Sequence, residues 1–262
     1  MFYVHSIMTI ELISFRYNLI ARKRRELAAE MINSSNAELV VFCGHSLKTQ
    51  DDLYAFEEMI KNKSTCVLFE VAHVKESKFV NLQNCLYTVE NDNIHNLFTS
   101  QMFSTKEQIE NSEPLCERYI NELETRRCFS VKGKKCLVLQ CGEINILQNL
   151  QSDNNRVIFR HPQRADLEER FFNLVNSTDI ILNPIHTPMG NQGKMKKRRE
   201  FFSSNKRYYF SVSQNGTRKW RENYYEISID SNSLQYAFYD GNEIEEFSRE
   251  VTTDYQKRTF QI

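Results

Sequence analysis

KGKKCLVLQCGE, Lys132 to Glu143, decides the reading of this chain. A turn over Lys132–Lys134 delivers the apolar run CLVL, which ends on Cys141, and Gly142 and Glu143 follow. The pattern predicts a hairpin whose second strand carries a cysteine to its end. A strand cysteine is most often a buried, inert thiol, and several of the seven cysteines here sit in apolar runs such as STCVLFEV. A cysteine at a strand end followed by glycine has a second reading, a nucleophile that substrate backbone or carbonyl groups can approach.

Outward from this stretch, strands and helices alternate. MTIELISF (8–15), AELVVFCG (37–44), STCVLFEVAHV (64–74) and TDIILNPIH (178–186) read as strands, the last stopping at Pro184. Residues 19–33, DDLYAFEEMIKN, LEERFFNLVNS and KMKKRREFFSSNKR read as helices. QNCLYTVENDNIHNLFTSQMF reads as two strands joined at ENDN. STKEQIENSEPLCERYINELETRR reads as a polar loop, and QNLQSDNNRVIFRHPQ as a surface insertion. No repeat or composition break divides the chain, so one α/β domain with a mixed sheet is expected. Residues 1–7 are expected to be a disordered leader, 8–241 the domain, and 242–262 a tail packing on a partner or a sheet edge.

Composition narrows the function. Of 262 residues, 34 are basic and 34 acidic, so net charge supports neither a nucleic-acid nor a membrane partner. The balance also leaves little repulsion against self-association. No C-x-x-C pair occurs and six histidines lack ligand spacing, so no metal and no cofactor is assigned. MFYVHSIMTIELISF has no basic n-region or cleavage site, and reduced thiols fit a cytoplasmic protein. Lys194–Arg199 could be a phosphate patch, but a charged helix face is the commoner fate of such a run.

Four segments, in order, resemble the nitrilase or carbon–nitrogen hydrolase superfamily, with the glutamine-amidase type of NAD synthetases as the closest echo. They are AELVVFCGHSLKTQDDL, KEQIENSEPLCERYI, KGKKCLVLQCGE, and TDIILNPIHTP followed by KMKKRREFFSSNKRYYFSVSQNG. The resemblance implies a single-domain, four-layer α-β-β-α sandwich. It implies a thiolate attacking a small amide or nitrile, a cation for the oxyanion, a carboxylate base, and a homodimer. Cys141 matches the nucleophile, Lys106 the lysine and Glu117, in CERY, the second glutamate. A second register puts the lysine position at Ser100, which has no amine; the longer downstream match favours Lys106. Gly142, Glu143 and His186 fall where the family lines its pocket, although Glu143 could equally cap a following helix and His186 could be a surface residue.

One position departs. The family's FPE reads FCG, so the base glutamate falls on Gly44. His45 follows it, but strand alternation points that ring to the other face, and Asp51 and Asp52 reach in only if their loop folds back. A protein with an impaired thiol amidase site is therefore expected, the alternative being an inactive nitrilase-fold protein that binds a ligand or partner. If Cys141, Lys106 and Glu117 converge in one pocket, Cys141 should alkylate faster than its fellow cysteines, and Gly44→Glu should raise any amidase rate.

Overall fold

The computed structural model describes residues 7–62, 64–75, 81–90, 93–96, 99–188, 192–220 and 223–262. In chain order the first half runs β1 (Thr9–Phe15), α1 (Ala21–Ser34), β2 (Leu39–Phe42), β3 (Leu47–Thr49), α2 (Gln50–Met59), β4 (Cys66–Lys75), β5 (Asn81–Glu90), β6 (Asn93–Asn96), α3 (Lys106–Glu110) and α4 (Glu113–Arg126). Next come β7 (Cys128–Val131), β8 (Lys134–Val138), a 3-10 turn (Cys141–Ile146), β9 (Leu147–Leu150), β10 (Arg156–Phe159), α5 (Ala165–Asn176), β11 (Ile180–Ile185), α6 (Gln192–Ser203) and β12 (Tyr208–Ser213). The chain closes with β13 (Thr217–Trp220), β14 (Asn223–Glu226), β15 (Gln235–Tyr239), β16 (Asn242–Glu243), β17 (Ser248–Val251) and β18 (Tyr255–Gln261).

Two sheets stack. The first is ordered β17-β18-β1-β2-β4-β5-β6, with β3 also on β4; the second is β16-β15-β12-β11-β8-β7. In each, the central strands are parallel, β1-β2-β4 and β8-β11-β12. Alternation in β8 and β11 shows the layering. Cys136, Val138, Ile180 and Leu182 join the core shared with the first sheet, whereas Leu137 and Ile181 join a second core with α4, α5 and α6. The first sheet is buried on both faces, between the second sheet and α1 and α2, so β2 is apolar at every position, as Leu39–Phe42 require. This is the expected four-layer α-β-β-α sandwich.

Three expectations are corrected. The polar stretch after Ser104 is two helices, not a loop. Ser112 caps α4 by accepting from Leu115 N, and Cys116, Tyr119, Ile120 and Leu123 form a buried stripe at helical spacing. The stretch after Leu147 is the β9–β10 hairpin rather than an irregular insertion. Residues 248–261 form one edge of the first sheet: β18 pairs antiparallel along the whole of β1, from Thr9↔Gln261 to Phe15↔Tyr255. In addition, β11 runs through Pro184 to Ile185. The missing N–H does no harm there, because β8, the neighbour on that side, ends at Val138. Residues 1–6 and the ENDN turn at 91–92 lie outside the described residues.

Candidate active site

The site forms where parallel strands of both sheets end, the usual place for a ligand in an α/β sheet. Gly44 follows β2, Cys141 follows β8 and His186 follows β11. Gly44 N donates to Ile185 O at 3.0 Å, tying the two sheets together at this end.

Cys141 sits at a sharp corner. Leu139 N still donates to Leu182 O, and two residues later Cys141 has φ 35°, left-handed backbone that a side chain with a Cβ seldom adopts. Surrounding bonds hold it there. Asn183, buried in the middle of β11, donates to Leu139 O and Cys141 O and accepts from the Tyr209 hydroxyl at 2.9 Å. Glu143 closes the corner from the other side. Its carboxylate accepts from Gln140 N at 2.8 Å, Met102 N at 2.8 Å and both Nη atoms of Arg127, and neither of those side chains reaches solvent. Glu143 is thus an internal strut and 3-10 cap, not a substrate contact. Gly142 has a similar internal reason. A Cβ there would lie 1.8 Å from Ser104 O, so the close approach that needs glycine is by the protein's own backbone.

His186 lies near enough to the Cys141 thiol for the two to interact. Its Nε2 is held at 2.7 Å by Glu70 Oε1, which leaves Nδ1 as the ring nitrogen available to sulfur. Glu70 is fully buried in β4 yet fully engaged. Oε1 also accepts from His45 N at 2.8 Å, and Oε2 accepts from Gln140 Nε2 at 2.8 Å. Burial opposes charge on His186, but its hydrogen bonds to Cys141 and Glu70 and their negative charges outweigh it, raising the imidazole to about 10. Glu70 is likewise held below its ordinary value: burial works against it, and the bond to and charge on His186, with the bond from His45 N, overcome that.

His45 stacks on His186, ring centroids 3.8 Å apart and planes 20° from parallel. Its Nε2 bonds Asn84 Oδ1 at 2.8 Å. Burial and the charge on His186 lower its pKa, so the stack carries one proton, on His186. Strand alternation misplaced His45 because the residue is itself left-handed, φ 57°, with its carbonyl pinned by the buried Arg24 at 2.7 Å. His45, Glu70 and His186 lie close enough together to suggest a metal site. The stacking argues against it: in-plane lone pairs of nearly parallel rings do not converge on one ion.

Gly44 has a physical reason as well. A Cβ on it would lie 2.3 Å from His186 Cδ2 and 3.0 Å from His186 N. The imidazole occupies the space that a side chain at residue 44 would need. The expectation that Gly44→Glu restores a base is therefore reversed. Gly44→Ala or Gly44→Glu should displace His186, cost about 1–3 kcal/mol in urea unfolding, and slow Cys141 alkylation by iodoacetamide. Faster alkylation in Gly44→Glu would overturn this account.

The other expected residues divide. Cys141, Gly142 and Lys106 line one cleft of about 510 Å³, with Ser104, Asn145, Thr187, Pro188, Lys194, Met195 and Arg198. Lys106, at the start of α3, is 59% exposed and pairs with Glu107 at 3.6 Å. Glu117 does not line the cleft; it lies half exposed on α4, 3.6 Å from Arg164. Asp52 caps α2 through Thr49 and pairs with Arg25, away from the thiol. The Lys194–Arg199 run is not a uniform charged face either. Lys196 and Lys197 pair with Glu200 outside, while Arg198 and Arg199 turn inward. Sequence reading missed Glu70. Its one signal was a carboxylate inside the apolar run CVLFEVAHV, a position that needs a buried partner.

No protein-family profile and no characterised protein matches the chain by sequence. Solved structures do. A CN-hydrolase superfamily protein from Xanthomonas campestris aligns with TM-score 0.57 at 12% identity, over 98% of this chain and 90% of that one. An amidase from Nesterenkonia sp. aligns with TM-score 0.56 at 8% identity, over 97% and 90%. A glutamine-dependent NAD(+) synthetase from Cytophaga hutchinsonii aligns with TM-score 0.59 at 11% identity; this chain covers 43% of its length. Among the described residues no helix is long and apolar enough to cross a membrane. At these identities the likeness establishes the architecture: this chain has the fold of the carbon–nitrogen hydrolase superfamily.

Proposed function

We propose that this protein hydrolyses a small amide through Cys141, with His186 carrying the proton and Glu70 orienting His186. The carrying observation is the place of His186, near the Cys141 thiol and hydrogen-bonded at 2.7 Å to the buried Glu70 carboxylate. That order of nucleophile, base and orienting acid is what thiol acyl transfer requires. The fold's neighbours support the reading, since the Nesterenkonia sp. AN1 amidase has been captured with butyramide in a variant lacking its cysteine.

The steps balance without a further reagent. With the proton of the thiol–imidazole pair already on His186, sulfur attacks the amide carbon, forming the C–S bond. The tetrahedral oxyanion collapses, the C–N bond breaks, and the leaving nitrogen takes the proton from the imidazolium. Water then gives a proton to His186 and attacks the thioester; the C–S bond breaks and the starting pair, proton on His186, is restored. Lys106, on the rim of the same cleft, is the side chain proposed to meet the oxyanion. Glu70 is a positioning residue, since among the described residues its carboxylate bonds only His45, Gln140 and His186.

The test is interception of the thioester. Incubation with a series of small amides, acid quench and intact-mass measurement should show an acyl adduct on Cys141, absent from Cys141→Ala, with matching loss of ammonia release. Ammonia release that survives Cys141→Ala would mean another nucleophile. A Cys141 neither acylated nor more reactive to iodoacetamide than the other cysteines would leave the binding-protein reading.

A further inference from the structure

Among the described residues, the cleft in front of Cys141 is lined by basic side chains and no acid. Of its lining residues Lys106, Lys194 and Arg198 are basic and none is acidic. Arg198 is the informative one. It is only 7% exposed, held on the inner face of α6. Nε donates to Asn149 Oδ1 at 3.0 Å, and Nη1 donates to Asn145 Oδ1 at 2.8 Å and Ile144 O at 3.4 Å. All three acceptors are neutral, and among the described residues Nη2 has no hydrogen-bond partner. Burial and the nearby Arg160 lower this guanidinium to about 10, with no carboxylate acting to raise it. Arg160 itself is answered by Glu110 at 3.3 Å.

A buried cation without an anion is costly, and a protein keeps one where a ligand supplies the counter-charge. A guanidinium presents a flat fork that fits a carboxylate. We propose that the substrate is an amide carrying a carboxylate remote from the scissile group, received by Arg198 beside the thiol; the monoamide of a dicarboxylic acid is the simplest such molecule. Lys106 and Lys194 add to the field that draws it in. With no acid among its described lining residues, the cleft disfavours an α-amino acid amide, whose ammonium would meet Arg198. This substrate class rests on Cys141 being the reactive thiol, and the test separates the two.

Two alkylating agents of nearly equal size differ in the relevant charge, iodoacetate and iodoacetamide. Their rate ratio at Cys141, read by peptide mass spectrometry and divided by the ratio for free cysteine, reports the cleft's preference for an anion. The expected value is at least about tenfold. It should fall severalfold in Arg198→Gln, keep more of its size in Arg198→Lys, and shrink in high salt. Should Arg198→Gln fail to fold, Lys106→Gln, at an exposed site, and the salt titration carry the same test. A wild-type ratio equal to that of free cysteine, or one indifferent to these substitutions and to salt, overturns the anionic substrate while leaving the thiol reading intact. A Cys141 that resists both reagents removes the thiol reading and this proposal together.

Discussion

His186→Gln is expected to lower amide turnover by about two to four orders of magnitude, the usual cost of losing a positioned proton carrier. Glutamine is close in size and can still donate to Glu70, so the loss would come from chemistry rather than collapse. Thermal unfolding supplies an independent readout. His186 is raised above its unfolded value of about 6.5, so its charged form contributes stability that is whole below that pH and lost as pH rises through about 10. The wild-type midpoint should therefore decline across that window, and the His186→Gln midpoint should decline less. A variant that retained turnover within threefold of wild type would remove His186 from the mechanism. Parallel pH profiles for the two proteins would remove its charge from the folded state.

Arg127→Met should cost about 3–5 kcal/mol in urea unfolding, the largest stability effect of any single change considered for this chain. The guanidinium and the Glu143 carboxylate are both fully buried, 3.0 Å apart. Methionine fills much of the volume but leaves the carboxylate with two backbone N–H donors and no counter-charge. The corner at Cys141 hangs on that carboxylate through Gln140 N, so surviving protein should also show slower Cys141 alkylation. Glu143→Gln should be milder, since the amide keeps one acceptor and leaves Arg127 short by one. A loss under 1 kcal/mol for Arg127→Met would mean that the pair is not closed as described.

The sequence showed what is local. Apolar runs marked β2, β8 and β11, the turn at Lys132–Lys134 marked the hairpin, and the run ending on Cys141 marked the corner. It hid α4 because charged residues on three sides of that helix masked a four-residue buried stripe. The site was harder. Cys141 and His186 stood at recognisable strand ends, but the carboxylate behind them lies 116 residues from His186 in sequence, and no periodicity links such a pair. Gly44 was legible only as a lost glutamate. Its meaning depends on a ring from another sheet occupying the space beside it, which only the fold reveals. Arg198 was hidden for a similar reason: in a run of five basic residues, composition cannot tell which one faces inward.

The pairing of β1 with β18 bears on how the chain is made. β1 is made before its sheet neighbours and finds β2 on one side within a few dozen residues. Its other edge waits for residues 255–261, with nearly the whole chain synthesised in between. Throughout that interval the nascent first sheet exposes an open, strongly apolar strand edge, the kind that recruits other chains. Completion of the central sheet therefore waits until residues 255–261 have been made. The slowest contact to form also seals the sheet that carries Glu70, so a competent site is the last product of folding rather than an early one.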